Sequence, residues 1–139
     1  MIDNTWAMNL PDNIYTIAKT RAQAVLNTYY PDTLWTMDGL ENSEPTFPAV
    51  MFTFTLSERG ADLSGEDINA VMVDVQVDIT VLKEQTINAA TYVSGVIVNE
   101  MKRLKFYIDE MPFQNESTND LIRYTFRCQR IVGQADTIS

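Results

Sequence analysis

Val71-Met72-Val73-Asp74-Val75-Gln76-Val77-Asp78-Ile79-Thr80-Val81 alternates without a break. Val71, Val73, Val75, Val77, Ile79 and Val81 form an unbroken β-branched row, and polar residues with one methionine fill the positions between. Successive side chains on a pleated chain point to opposite sides, so a sustained period of two reads as a strand with one buried face. The stretch before it repeats the pattern. Val50, Phe52, Phe54 and Leu56 point one way and Met51, Thr53, Thr55 and Ser57 the other. Between the two lies Glu58–Asp67, polar and carrying Gly60 and Gly65, which reads as a loop or long hairpin connection.

On either side of this pair the period changes from two to three and four. Ile14, Ile17, Ala18, Ala22, Val25, Leu26 and Tyr29 mark an amphipathic helix over 11–29, with Asn9 placed as N-cap and Pro11 in the first turn. Tyr30-Pro31 closes it, because the residue before a proline is pushed out of the helical region. Residues 32–47 show no clean period and read as loop, with room for one short strand. Downstream, Ala89, Ala90, Val93, Ile97, Met101 and Leu104 give a second helix over 86–104, with Thr86 as candidate N-cap. Lys102, Arg103 and Lys105 gather at its C-terminal end, where the helix dipole favours cations. Residues 106–111 then read as a short strand stopped by Pro112, and 115–120 as a turn-rich connection. The last strand spans 121–132, with Ile122, Tyr124, Phe126, Cys128 and Val132 on one face and Leu121, Arg123, Thr125, Arg127 and Gln129 on the other.

The expected order is therefore α-β-β-α-β-β. Its most economical packing is one α+β domain over 1–139: a mostly antiparallel four-stranded sheet with both helices packed on one face. Residues 1–9 and 134–139 read as flexible ends.

Composition excludes more chemistry than it supplies. The 139 residues are 45% apolar and 21% charged, as in an ordinary folded domain. They include no histidine and one cysteine, which rules out a Ser-His-Asp triad, a Cys-His pair, a histidine-bearing metal site, a CxxC pair and an intrachain disulfide. The net charge of −9 argues against a free-standing nucleic-acid binder and against docking on anionic lipid. It is compatible with a surface past which DNA slides without being held. The opening residues have no signal-peptide pattern, and no apolar run approaches the ~20 residues of a membrane helix. The expectation is a soluble protein made in a reducing cytoplasm, with no membrane partner.

The face opposite the valine row holds the informative residues. Asp74 and Asp78 come from one strand, Arg123 and Arg127 from another, and each pair is four residues apart, so its members share a face. Such a face reads either as solvated surface or as a subunit interface, where arginine and methionine are enriched. Asp74 and Asp78 as an acid/base pair have no flanking aromatic cluster or glycine-rich loop to mark them. Asp62–Asp67 lacks the residue order of a calcium loop, and no GxGxxG, GxxxxGKS or GxSxG motif is present. No catalytic, cofactor-binding or metal-binding residues are therefore assigned. Charge is uneven along the chain: residues 1–100 hold fourteen acids and four bases, residues 101–139 six bases and five acids. Head-to-tail contacts between copies would use such an asymmetry.

As a whole, the chain resembles the tail terminator (tail-completion) proteins of long-tailed bacteriophages. The likeness spans residues 10–133 and rests on element order. An N-terminal helix leads through an irregular stretch to Phe47-Pro48-Ala49-Val50; a long alternating strand (Val73–Ile79) follows; a helix with small inner residues precedes a strand ending Arg127-Cys128-Gln129-Arg130-Ile131-Val132-Gly133. The resemblance implies a structural virion protein at the tail–neck junction. It would form a homohexameric ring on the tail tube protein, stop tube polymerisation and meet the head–tail connector or stopper protein. DNA would pass through its lumen without specific binding. Carried onto this sequence, the loop with Glu58, Arg59, Asp62 and Leu63 would reach toward a ring neighbour or the tube. Asp74, Asp78, Arg123 and Arg127 would supply further subunit contacts. Neck proteins of the same virions, such as stoppers and connector components, share this size and texture. A small α+β ligand-binding domain or enzyme is the other class; its site would have to come from carboxylates, Lys83, Arg59 or tyrosines.

Overall fold

The valine row is the middle strand of a five-stranded sheet. The structure, a computed structural model, describes residues 4–37, 46–59, 68–83, 86–118 and 120–139. The elements are α1 (Thr5–Met8), α2 (Leu10–Leu26), β1 (Leu34–Met37), β2 (Ala49–Arg59), β3 (Ala70–Leu82), α3 (Thr86–Arg103), β4 (Tyr107–Ser117) and β5 (Leu121–Gly133). In space the strands run β1-β2-β3-β5-β4. β3 pairs antiparallel with both β2 and β5, β4 pairs antiparallel with β5, and β1 runs parallel to β2.

The α+β class and the two long helices agree with the sequence reading; the four-stranded sheet does not. The fifth strand, β1, falls in the stretch read as loop with room for one short strand. Its four residues are all half-buried, so no alternation marks them. What holds β1 is its ladder to Ala49–Phe52, a partner remote in sequence that a local pattern cannot reveal. The second correction is β4, expected to stop at Pro112 but continuing to Ser117. Its pairing with β5 shifts register three times, between Ile108 and Glu110, Glu110 and Phe113, and Gln114 and Glu116. A proline has no N–H to give a ladder and is admitted on an edge strand beside a bulge. Pro112 sits in the second of these shifts.

The helices cover the valine face. Val73, Val77, Ile79 and Val81 are fully buried beneath Ile14, Ala18, Ala22 and Leu26 of α2 and Ala89, Ala90, Val93, Ile97 and Met101 of α3. Tyr15 of α2 meets Phe52 of β2 edge to face at 5.4 Å, which ties that helix to the same side of the sheet. Each fully buried valine or isoleucine contributes on the order of 1.5–3 kcal/mol relative to an exposed one. The alanines let the two helices approach each other.

Helix ends show where local rules were followed. α2 stops at Leu26, short of Tyr29, and the Tyr29 and Tyr30 N–H groups both donate to the Leu26 carbonyl. Asn9 occupies its N-cap without a side-chain capping bond, and Pro11 lies in the first turn. α3 closes with the paired bonds of a Schellman ending: Phe106 N–H to Met101 O at 3.0 Å and Lys105 N–H to Lys102 O at 2.9 Å. Lys105 carries the left-handed backbone this ending needs, at φ 71°.

Candidate functional site

Among the described residues no helix lies upon the opposite face of the sheet, and register decides which side chains meet there. Across β2, β3 and β5 its rows read Thr55, Asp74, Gln129; Thr53, Gln76, Arg127; and Met51, Asp78, Thr125. The arginines are therefore offset from the aspartates. Arg127 stands opposite Gln76 and Arg123 opposite Thr80, so neither arginine faces Asp74 or Asp78 directly.

Asp78 is buried although it lies on the bare face, at 5% exposure. The Thr125 hydroxyl donates to its Oδ1 at 2.6 Å and the Gln76 amide to its Oδ2 at 3.1 Å. A carboxylate removed from bulk water needs such donors, since an unpaired buried polar group costs ~1–3 kcal/mol. Asp74 sits two rows away in a depression of about 290 Å³ lined by Thr53, Thr55, Gln76, Asp109 and Arg127. Asp78 lines a second one of about 230 Å³ with Met51, Thr80, Leu121 and Arg123. The four charged residues named from the sequence thus share one face but divide between two depressions, one aspartate and one arginine in each.

Sequence reading missed an ion pair at this face. Arg127 Nε lies 3.4 Å from Glu110 Oε1, both side chains about half exposed. Asp109 and Glu110 reach this position through the first register shift of β4, which places Ile108 opposite Cys128 and Glu110 opposite Arg127. Asp109 is the additional residue between them. No periodicity in 107–117 announces the bulge, so neither acid could be assigned to a face from sequence.

Beneath the first depression, Cys128 is buried on the helix-covered side. Burial chiefly, with the charges of Asp109 and Asp74 adding to it, pushes its thiol up to about 12. It is a packed hydrophobe in this setting rather than a nucleophile.

Glu58 and Arg59 stand apart at the end of the β2–β3 pair, opposite Val71 and Ala70. Consecutive residues of a strand point to opposite faces, and both side chains are exposed, with Arg59 Nη1 donating to the Glu58 carbonyl at 3.0 Å. Asp62 and Leu63 lie outside the described residues, as does the rest of 60–67. Among the described residues no three His, Cys, Asp or Glu side chains converge as a metal site, and no helix is long and apolar enough to cross a membrane.

A larger cleft, about 670 Å³, lies elsewhere, between the start of α2 and the C-terminal segment; Trp6, Asn9, Asp12, Thr16, Gln134 and Ile138 are among its walls. Among the described residues, none of the candidate contact residues named from the sequence is in its walls. What the bare face offers chemically is an array of hydroxyls, amides, arginines and carboxylates interleaved with Met51 and Met72, which suits contact with a protein surface. No family model matches the chain, and no curated protein matches its sequence.

Proposed function

We propose that the protein is a structural virion component of the tail-terminator kind, a ring subunit that caps a phage tail tube, stops its growth and meets the head connector. The observation that supports this reading most is the one-sided sheet: two helices seal one face, and the other is left bare, with paired charges and half-exposed methionines among them. Interfaces between protein subunits are enriched in arginine and methionine in this way. The net charge of −9 suits a ring through which DNA passes without adhering. The candidate contact residues are Asp74, Arg123 and Arg127 on that face, with Glu58 and Arg59 at the hairpin end. Asp78, held inside by Thr125 and Gln76, shapes the face instead of touching a partner.

The test is solution mass by light scattering, followed by negative-stain imaging with and without purified tail tubes. Six copies of the 15.8 kDa chain weigh roughly 95 kDa. The expected result is closed rings of that mass that bind tube ends and halt elongation. Rings that bind a head connector and ignore tubes would move the assignment to another neck component. A compact dimer indifferent to tubes and connectors would sink it.

A further inference from the structure

Six of the eight exposed large apolar side chains among the described residues fall into two groups on opposite layers of the molecule; Met8 and Met111 are the others. The first group is on the helical layer. Val25 and Tyr29, at 45% and 68% exposure, lie four residues apart at the end of α2, beside Tyr92 of α3. The Tyr29 and Tyr92 rings meet edge to face at 5.7 Å, and the Tyr30 ring is 6.1 Å from Tyr92. The second group is on the bare sheet face. Tyr107 and Ile131, at 69% and 55%, border a depression of about 360 Å³ together with Met72 and Lys105. Phe113, opposite Thr125, continues the exposed row along β4.

From these two groups we infer that one copy's tyrosine cluster docks in the Met72–Tyr107–Ile131 depression of the next copy, as a head-to-tail contact. The inference rests on the ring reading above and names the surfaces that would build the ring. Charge selects this occupant. The depression has Lys105 on its rim and Arg130 in its lining. The tyrosine cluster lies at the carboxyl end of α2, where the helix carries partial negative charge, with Asp32 just beyond. Ring faces of tyrosine also attract a lysine ammonium or arginine guanidinium. Because the two groups face away from each other, one neighbour cannot satisfy both. Each contact leaves one group free at either end, the condition for a heterologous assembly that closes only as a ring.

Two single-group variants test this, Tyr29→Glu and Ile131→Glu, both at exposed positions; circular dichroism and thermal melting report whether each folds. Each alone weakens association by on the order of thirtyfold and runs as a monomer. Mixed in equal amounts, they form a two-chain species and nothing larger. The intact group of one then meets the intact group of the other, while the two altered groups repel. Tyr92→Glu and Tyr107→Glu are the second pair, should either of the first fail to fold. The inference is overturned if a folded variant alone keeps the wild-type mass, if the mixture stays monomeric while the wild type associates, or if the wild type is monomeric at all concentrations. Variants that still form rings and cap tubes would remove the contact and leave the ring reading standing. Assembly through these groups without any tube binding would do the reverse.

Discussion

At Cys128 the environment on both sides of the sheet acts on one atom. The thiol is buried beneath the helices, and Asp74 and Asp109 add negative charge from the other face. Its folded pKa of about 12 against an ordinary 9.0 means that, above pH 9, the unfolded chain releases a proton which the folded chain retains. Stability therefore falls as pH rises from about 9 toward 12, by roughly 1.4 kcal/mol per unit at most. Burial raises the Tyr15 hydroxyl above its usual 10.0 and acts in the same direction at the upper end of that window. Urea melts at successive pH values should show the midpoint dropping above pH 9, and Cys128→Ala should flatten the first part of the drop. In native protein near pH 8 the thiol should resist alkylation and react only on unfolding. A thiol that is alkylated freely without unfolding would contradict its burial.

At the scale of an element, the end of α3 shows a local rule met by the wrong residue. The Schellman ending requires a left-handed residue, and Lys105 supplies it at φ 71° where glycine would sit without strain. Lys105→Gly should raise stability by about 1 kcal/mol, some 3–5 °C in Tm, as read by calorimetry. An unchanged or lower Tm would mean that the lysine side chain contributes more than the backbone loses. Elements also divide by how far they could be read from sequence. β3 was legible because its odd residues are buried by helices and its even ones, Asp78 excepted, are only half-buried, so burial has close to period two. α3 was legible through its small inner residues for the same reason. β1 was not, because its four residues are uniformly half-buried and its ladder comes from Ala49–Phe52. β4 lost its period to three register shifts, and with it the positions of Asp109 and Glu110. The charged pairs on β3 and β5 were assigned to one face correctly, yet their division between two depressions depends on an inter-strand offset that no single strand encodes.

At the scale of the whole molecule, net charge sets what the surface can hold. A chain at −9 should leave linear duplex DNA unshifted in a gel at about 150 mM salt, and lowering the salt should not create binding. Retardation that strengthens as salt falls would reveal a basic track and count against the proposed role in a ring that lets DNA pass. The ragged pairing of β4 has a different consequence at this scale. A sheet rim is a template on which further strands can crystallise, and fibrils grow by copying a straight one. Here one rim is broken by three shifts and a proline, and the other ends in a strand of only four residues. Crowding such molecules would leave the β4 rim without a straight template for backbone-to-backbone stacking, so side chains would choose the neighbour along that rim.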